Sequence, residues 1–549
     1  SDLKQARQSR TGLPVDRHAL KDLSYNRATF HILWADRKNI KKEKDLTDRF
    51  LHAIRSAAPL TRYWTYTIDP AEMEILPGVF DFAVLDQIMD LAADSGVALT
   101  LRVTHIESEK PYRWLPYSAQ HNFDGLPIFE HYYGGYSLGD RNYLEVWHRL
   151  NRALFDRYGN HPAFQGYYLL QPAGEFTIED KPWEGIVAGY EPPMKQAFQD
   201  YLKHNLKLDL PALNRRWNTR FKSWEEVSVP QPAFRLGKMP DLSMRWNDFS
   251  KFKFYLDTEG FFPEAVRRIR SYTDRHVIIL YSAPQNNLSG AVDYFHNGGN
   301  AYLQNEGRYV EAWEKGRTGW ISEPHDPTRW ASSDDSEWNL DWTVYMAILQ
   351  AGGGGANLHV YNYPRKRTIE NHGFIYAYDR LRKYMPVLDE LNGFVSAQEP
   401  ARIGIFQDPM TIACKHRTTF KPRMDDLARF FELVKFSKLP FATAEKRNLS
   451  QLRLLVLNPL DEVMSQENIH LIAEWIRNGG KAVMTANTGK YSPEAGASAP
   501  WPLLRALGIA APDSAYRTTG RNVTASVLRE NPFFDKEKGI RFYTGTEFK

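Results

Sequence analysis

Short apolar runs alternate with helix-length stretches eight times over about 390 residues, and this alternation restricts the fold more than any other feature of the sequence. The runs are Ala28–Trp34, Leu60–Tyr66, Val97–Val103, Phe164–Leu170, His276–Tyr281, Ala301–Gln304, Gly319–Ser322 and Asn357–Tyr361, of which Ala301–Gln304 is the weakest. Each is short and bounded by turn-forming residues, as buried strands are. Helices are read over Asp45–Ala58, Val84–Ser95, Tyr143–Tyr158, 248–272, Trp338–Gln350 and 370–392. In the first of these, Leu46, Phe50, Leu51 and Ile54 fall on one helical face. Repeated strand–helix units favour parallel strands, so the expectation is an α/β protein with a (β/α)8 TIM barrel over residues 26–397. An insertion at about 181–245 interrupts it, and residues 1–25 form a polar lead-in. A doubly wound sheet is the alternative, but no G-x-G-x-x-G or P-loop follows any strand.

The pattern restarts after residue 398. Strands are read at Arg402–Phe406, Leu454–Leu457 and Ala482–Thr485, with helices at 424–436 and Ser465–Asn478, as in a separate three-layer α/β domain over 398–515. Residues 516–549 give no clear fold. A chain of 549 residues is too long for one ordinary core, which agrees with two or three domains.

Composition excludes several functions. The 70 Lys+Arg and 66 Asp+Glu leave +4, spread without a basic block, so no nucleic-acid partner is expected. The single cysteine, Cys414, rules out an internal disulfide and a cysteine-rich zinc site. His105, His121 and His131 share one long loop but lack H-x-x-x-H or H-E-x-x-H spacing, so substrate contact or surface exposure is expected, with no metal and no cofactor. No apolar stretch approaches the roughly 18–20 residues of a membrane span. The opening SDLKQARQSR has no apolar core of a signal peptide, which leaves a cytoplasmic or a periplasmic location open.

The candidate chemistry sits at two strand ends. In FQGYYLLQPAGE (Phe164–Glu175) a buried-looking strand loosens through Gln171-Pro172-Ala173-Gly174 and presents one acid, Glu175. In GWISEP a second strand runs directly into Glu323 and a stiffening proline. Parallel barrels place their chemistry at the carboxyl ends of strands, where residues distant in sequence converge on one rim. Glycosidic hydrolysis needs two such acids, one to protonate the leaving oxygen and one to attack or stabilise the sugar carbon. Glu323 has an ordinary alternative as the partner of an arginine such as Arg329, and Glu306 is a rival second acid.

Several segments resemble glycoside hydrolase family 42. They are PGVFDFAVLDQIMDLAADSGVALTLRV, PYRWL, RYGNHPAFQGYYLLQPAGE, the insertion FQDYLKHNLKLDLPALNRRWNTRFKSWEEVSVP, GWISEP, and LRLLVLNPLDEVMSQENIHLIAEWIRNGGKAVMTANTG. The resemblance covers about residues 27–490. It implies a retaining, exo-acting β-glycosidase, most simply β-galactosidase-like, with Glu175 as general acid/base and Glu323 as nucleophile. It also implies that the second domain is flavodoxin-like and associated with trimer formation. Trp64, Arg102, Tyr281, Trp330 and Asn362 are candidate substrate-binding residues near strand ends, each with packing as its alternative. Three departures stand out. Gly174 replaces the asparagine that the family places before the acid/base, leaving Gln171 as a candidate to hold the sugar in its stead. One cysteine cannot form the zinc cluster of some members, and no C-terminal β-sandwich is evident. These departures point to an oligosaccharide substrate of unusual type, such as an algal galactan fragment. A β-mannoside, or a catalytically silent carbohydrate-binding role, is the alternative.

Overall fold

The computed structural model describes residues 30–34, 54, 62–68, 73–103, 120–126, 137–169, 189–231, 242–280, 294–297, 319–322, 356–360, 386, 402–406, 408, 441–444, 446, 448–457, 462–484, 487–495, 499–509, 523–525 and 540–542. They fall in two compact units. One is drawn from Ser1–Lys207, Phe252–Ala301 and Lys315–Gln398, the other from Leu208–Lys251, Tyr302–Glu314 and Glu399–Lys549.

The first unit is a closed eight-stranded barrel. Its strands are β1 (Phe30–Trp34), β2 (Tyr63–Ile68), β5 (Ala98–Val103), β6 (Phe164–Leu169), β7 (His276–Leu280), β8 (Tyr294–Asn297), β9 (Gly319–Ser322) and β10 (Ala356–Val360). A two-stranded hairpin, β3 (Glu74–Leu76) and β4 (Val79–Phe80), lies between β2 and β5 in sequence. Around the barrel the order is β1-β10-β9-β8-β7-β6-β5-β2, with every neighbour parallel. Helices α1 (Ala83–Asp94) and α2 (Arg141–Tyr158) flank β5 in sequence. Asp140 starts α2 by accepting the Asn142 N–H, which satisfies one of the donors a helix leaves open at its N-terminus. Its buried stripe of Tyr143, Val146, Trp147, Leu150, Leu154 and Tyr158 recurs at helical spacing. Among the described residues no helix is long and apolar enough to cross a membrane.

Three differences from the sequence reading bear on the barrel. The second strand runs on to Ile68, past the expected end at Tyr66, because alternation continues through Thr67 and Ile68. The sixth strand is Tyr294–Asn297, earlier than Ala301–Gln304; its aromatic Tyr-Phe-His run is closed by Asn297-Gly298-Gly299, a turn signal that a purely aliphatic search passes over. The helix expected over 248–272 is two, α5 (Met244–Thr258) and α6 (Phe261–Arg270), broken at Gly260 just before Pro263. Between β6 and α5 lie α3 (Pro192–His204) and α4 (Leu210–Trp217).

A bulge shapes the wall between β5 and β6. Leu99 pairs with Phe164, but the next pair is Thr100 with Gly166, so Gln165 is an extra residue. At Gly166, φ is +158° and a Cβ would stand 1.9 Å from the His276 carbonyl oxygen of β7. Only glycine allows this approach.

In the second unit, β12 (Phe441–Thr443), β11 (Ile403–Phe406), β13 (Leu454–Leu457) and β14 (Lys481–Val483) form a parallel sheet in that order. Helix α7 (Gln466–Arg477) and the short α8 (Pro502–Ala506) pack with it around Leu455, Leu457, Met464, Ile469, Ile472 and Leu503. Strand β12, only three residues long, has no counterpart among the strands expected from sequence. A two-stranded antiparallel pair, β15 (Val523–Ala525) with β16 (Ile540–Phe542), falls in the segment whose sequence gives no clear fold.

The family-like insertion motif has a local physical basis. The Asn214 carboxamide donates to the Phe221 carbonyl at 2.8 Å and accepts from the Thr219 hydroxyl at 2.9 Å and the Phe221 N–H at 2.8 Å, closing the turn after α4. Arg216 then grips the fully buried Asp248 of α5 through two hydrogen bonds of 2.7 Å, and Trp217 Nε1 donates to the same carboxylate at 2.8 Å.

Substitution of Gly166 by alanine forces β6 and β7 apart, and a loss of about 1–3 kcal/mol of stability is expected from overpacking. Thermal unfolding followed by circular dichroism measures it; an unchanged midpoint contradicts the close approach.

Candidate active site

Because all eight strands are parallel, their carboxyl ends form one rim. Which side chains face the interior below that rim follows from register. In paired parallel strands, residues in register share a face, and faces alternate along each strand. The Tyr167 hydroxyl donates to the Asn151 carbonyl of α2 at 2.8 Å, so Tyr167 faces the helices. Its register partners Leu101 and Tyr66 share that face. The opposite face, carrying Thr65, Thr100, Arg102 and Tyr168, therefore lines the barrel interior.

Arg102 is thus an interior residue near the end of β5, just before the rim. It is buried, and its guanidinium lies over the Tyr168 ring at 5.2 Å from the centroid. Trp64 requires a correction. It is the second residue of β2, in register with Leu99, which places it on the helix-facing side and toward the strand's amino end. It is fully buried there. A strand ending at Tyr66 would put Trp64 near the rim; the observed strand, continuing to Ile68, puts it near the opposite end. Of the expected site residues, the structure thus brings Arg102 to the interior and does not bring Trp64.

The other candidates lie outside the described residues: Gln171, Glu175, Tyr281, Glu323, Trp330 and Asn362, together with the rival Glu306. The strands that precede them are described. Tyr281 directly follows Leu280 of β7, and Glu323 directly follows Ser322 of β9. Glu175 belongs to the connection that leaves β6 after Leu169.

Sequence reasoning missed the side chains that join two of the rim connections. Glu191, at the N-cap position of α3, is fully buried. Its Oε2 accepts the backbone N–H of His121 at 2.9 Å, and the His121 carbonyl accepts from Gly189 at 3.1 Å and Tyr190 at 3.2 Å. Phe123 meets the Tyr190 ring edge-on at 6.3 Å. Residues 120–126 belong to the β5–α2 connection and 189–191 to the β6–α3 connection. His121 is accordingly half-buried and structural in its backbone; His105 and His131 lie outside the described residues. The only sequence signal for Glu191 is its place before Pro192-Pro193, a helix start, which reads as an ordinary cap.

A closed parallel barrel with a polar, arginine-bearing interior below a rim of long connections is the architecture of a (β/α)8-barrel enzyme class. The family model of glycoside hydrolase family 42, described as beta-galactosidase, matches residues 67–369. That span is more than half of the chain, and the protein belongs to glycoside hydrolase family 42. Among curated relatives, the beta-galactosidase LacZ of Heyndrickxia coagulans is 27% identical over 184 residues, 32% of this chain and 25% of that protein. The chain thus matches about a quarter of that relative's length. Among solved structures, a catalytic mutant of Gan42B, a GH42 beta-galactosidase from G. stearothermophilus, aligns with a TM-score of 0.63 at 16% identity, covering 92% of this chain and 77% of that one. An exo-carrageenase of the same family from Bacteroides ovatus aligns with a TM-score of 0.60 at 14% identity, covering 88% and 69%. At these identities the structural likeness concerns the fold.

The two faces of the barrel wall predict opposite behaviour. Trp64→Ala removes a buried ring from the helix-facing layer and is expected to cost about 3–5 kcal/mol of stability with KM unchanged. Arg102→Met keeps the side-chain length but removes the charge, and is expected to lower kcat/KM on the best glycoside about 10- to 100-fold, the worth of a charge-assisted hydrogen bond. Unfolding curves and steady-state kinetics on both variants check the pair; the reverse pattern overturns the assignment of faces.

Proposed function

We propose that the protein is a retaining β-glycosidase of the β-galactosidase type, removing a terminal sugar from an oligosaccharide. The observation that carries the proposal is topological. Strands β6 and β9 belong to one closed parallel barrel and end immediately upstream of the segments containing Glu175 and Glu323. In such a barrel both segments leave the wall at the same rim, as a two-carboxylate mechanism needs. Membership of family 42 supports the same roles. Glu175 protonates the leaving oxygen while Glu323 attacks the anomeric carbon; Glu175 then deprotonates the water that releases the sugar. Retention requires the two carboxyls to stand about 5–5.5 Å apart, against about 6.5–9.5 Å for inversion.

For the substrate, we favour a fragment of an algal galactan. Gly174 stands where the family has asparagine, and a glycine has no side chain to reach the sugar 2-hydroxyl. Without that hydrogen bond, selection for an unmodified galactose relaxes, and Gln171, Tyr281, Trp330 and Asn362 are left to line the subsite. Likeness in fold to an exo-carrageenase supports that direction. Trimeric assembly belongs to the same proposal.

Glu175→Gln and Glu323→Gln are each expected to lower kcat by at least about 10²–10⁴-fold with the fold intact. Product anomers followed by NMR on a panel of nitrophenyl glycosides and galactan oligosaccharides should show retention. Full activity in both variants, or an inverted product, overturns the mechanism; hydrolysis confined to β-mannosides overturns the sugar.

A further inference from the structure

We propose that Trp501, Tyr491 and Lys490 of the second unit form a surface platform that binds an uncharged pyranose chain, such as a neutral galactan, as a site additional to the glycosidic one. The observation behind it is a tryptophan placed against three local rules. Trp501 has φ 55° and ψ 48°, in the left-handed region that favours glycine and asparagine. It directly precedes Pro502, a position where the backbone is pushed toward extended conformations. It also stands at the N-cap of α8 without a side-chain capping bond, where serine, threonine, aspartate or asparagine would make one. Strain of this kind persists where the side chain itself is needed, and the ring is half-buried, not sunk in the core. Core packing at this point comes from its successors Pro502, Leu503 and Leu504, all buried.

The neighbours of Trp501 give the strained ring a use. The Lys490 ammonium stands 5.4 Å from the Trp501 ring centroid and 5.2 Å from that of Tyr491, so both rings belong to one patch around a single cation. The Glu462 carboxylate lies 3.9 Å from the same ammonium, at the outer limit of an ion pair. Backbone bonds fix the arrangement. The Trp501 N–H donates to the Lys490 carbonyl at 2.6 Å, the Tyr491 N–H donates to the Glu462 carbonyl at 2.8 Å, and the Tyr491 carbonyl accepts from Met464 at 2.9 Å. At Gly489, with φ +61°, a Cβ would stand 2.7 Å from the Leu503 Cβ, so the two segments lie in close contact. Glu462, Lys490, Tyr491 and Trp501 are all half-buried, and each keeps some surface for a ligand. An aromatic face matches the apolar C–H face of a pyranose ring. A donor and an acceptor 3.9 Å apart match two neighbouring sugar hydroxyls. Ammonium and carboxylate offset one another, which favours an uncharged sugar over a sulfated one. The platform belongs to the second unit, so the proposal goes beyond the glycosidase reading; only the choice of a sugar as ligand draws on it.

Native-gel retardation of the full chain by a soluble neutral β-galactan, together with thermal unfolding, tests the platform. The unsubstituted protein should be retarded, and less so by a sulfated galactan at the same concentration. Trp501→Gly should raise the apparent Kd for the neutral chain at least about tenfold, the scale of losing an aromatic anchor. Its Tm should stay level or rise, because glycine accepts the left-handed backbone without steric cost. A tryptophan kept for packing gives the opposite result, a lowered Tm. Should the glycine variant not fold, Trp501→Asn also suits the left-handed region and is read on the same two measurements. Lys490→Met removes the ammonium while leaving both rings, and should weaken retardation about threefold or more. No retardation of the unsubstituted protein, undiminished retardation of the Trp501 variants, or a lowered Tm in both of them overturns the platform. Stronger retardation by the sulfated chain overturns the uncharged ligand. Retardation by a protein that turns over no glycoside keeps the platform and overturns the enzymatic reading; turnover without retardation does the reverse.

Discussion

Closure of the barrel imposes one alternation of faces on the whole wall, and the described side chains obey it. Once Tyr167 is tied to the Asn151 carbonyl, its neighbours in register have no freedom left. Leu101 and Tyr66 must face the helices, and Thr100, Arg102 and Tyr168 must face inward. A slip of one residue in β5 would carry the Arg102 guanidinium into the helix-packing layer and bring Leu99 and Leu101 into the interior. The approach of β7 to Gly166 fixes the register at the bulge, because only a residue without Cβ fits under the His276 carbonyl. The interior position of Arg102 thus depends on a glycine and a tyrosine on the neighbouring strand.

Above this wall the rim is held by polar bonds between connections. The barrel's strands are short, four to six residues, and cannot themselves order connections as long as those after β5 and β6. Buried carboxylates recur as the solution in both units. Glu74, fully buried, accepts from Gly78 at 2.7 Å within the β3–β4 hairpin and from Arg149 Nε of α2 at 2.6 Å. Asp248 gathers Arg216 and Trp217. Asp408, past the end of β11, accepts the Ser465 N–H at 2.8 Å and the Asn468 amide at 2.9 Å at the start of α7. Each brings together segments apart in sequence, with geometry that apolar packing alone does not specify.

Much of the architecture is legible in the chain itself. The runs FHILW, ALTLRV, FQGYYL, HVIIL and GWIS stand out because a strand inside a parallel barrel is covered on both faces and reads as nearly continuous apolar sequence. The errors have one source. YFHN is short and aromatic, FAT is shorter still, and neither carries enough pattern to outweigh its surroundings. Trp64 is misplaced by sequence because periodicity locates a strand but leaves its ends uncertain by a few residues, and a few residues separate the two ends of a barrel strand.

The parallel barrel, the second α/β unit and the family are written in local runs and their order, and the same runs name Glu175 and Glu323 as the pair for the proposal above. Only the tertiary structure decided that Trp64 packs against helices while Arg102 looks inward, and that Glu191 reaches across to His121. Facing depends on register with a neighbouring strand, and a clasp depends on two segments separated by 70 residues. Neither relation leaves a periodic trace along the chain, because the partner that defines it lies elsewhere in the sequence.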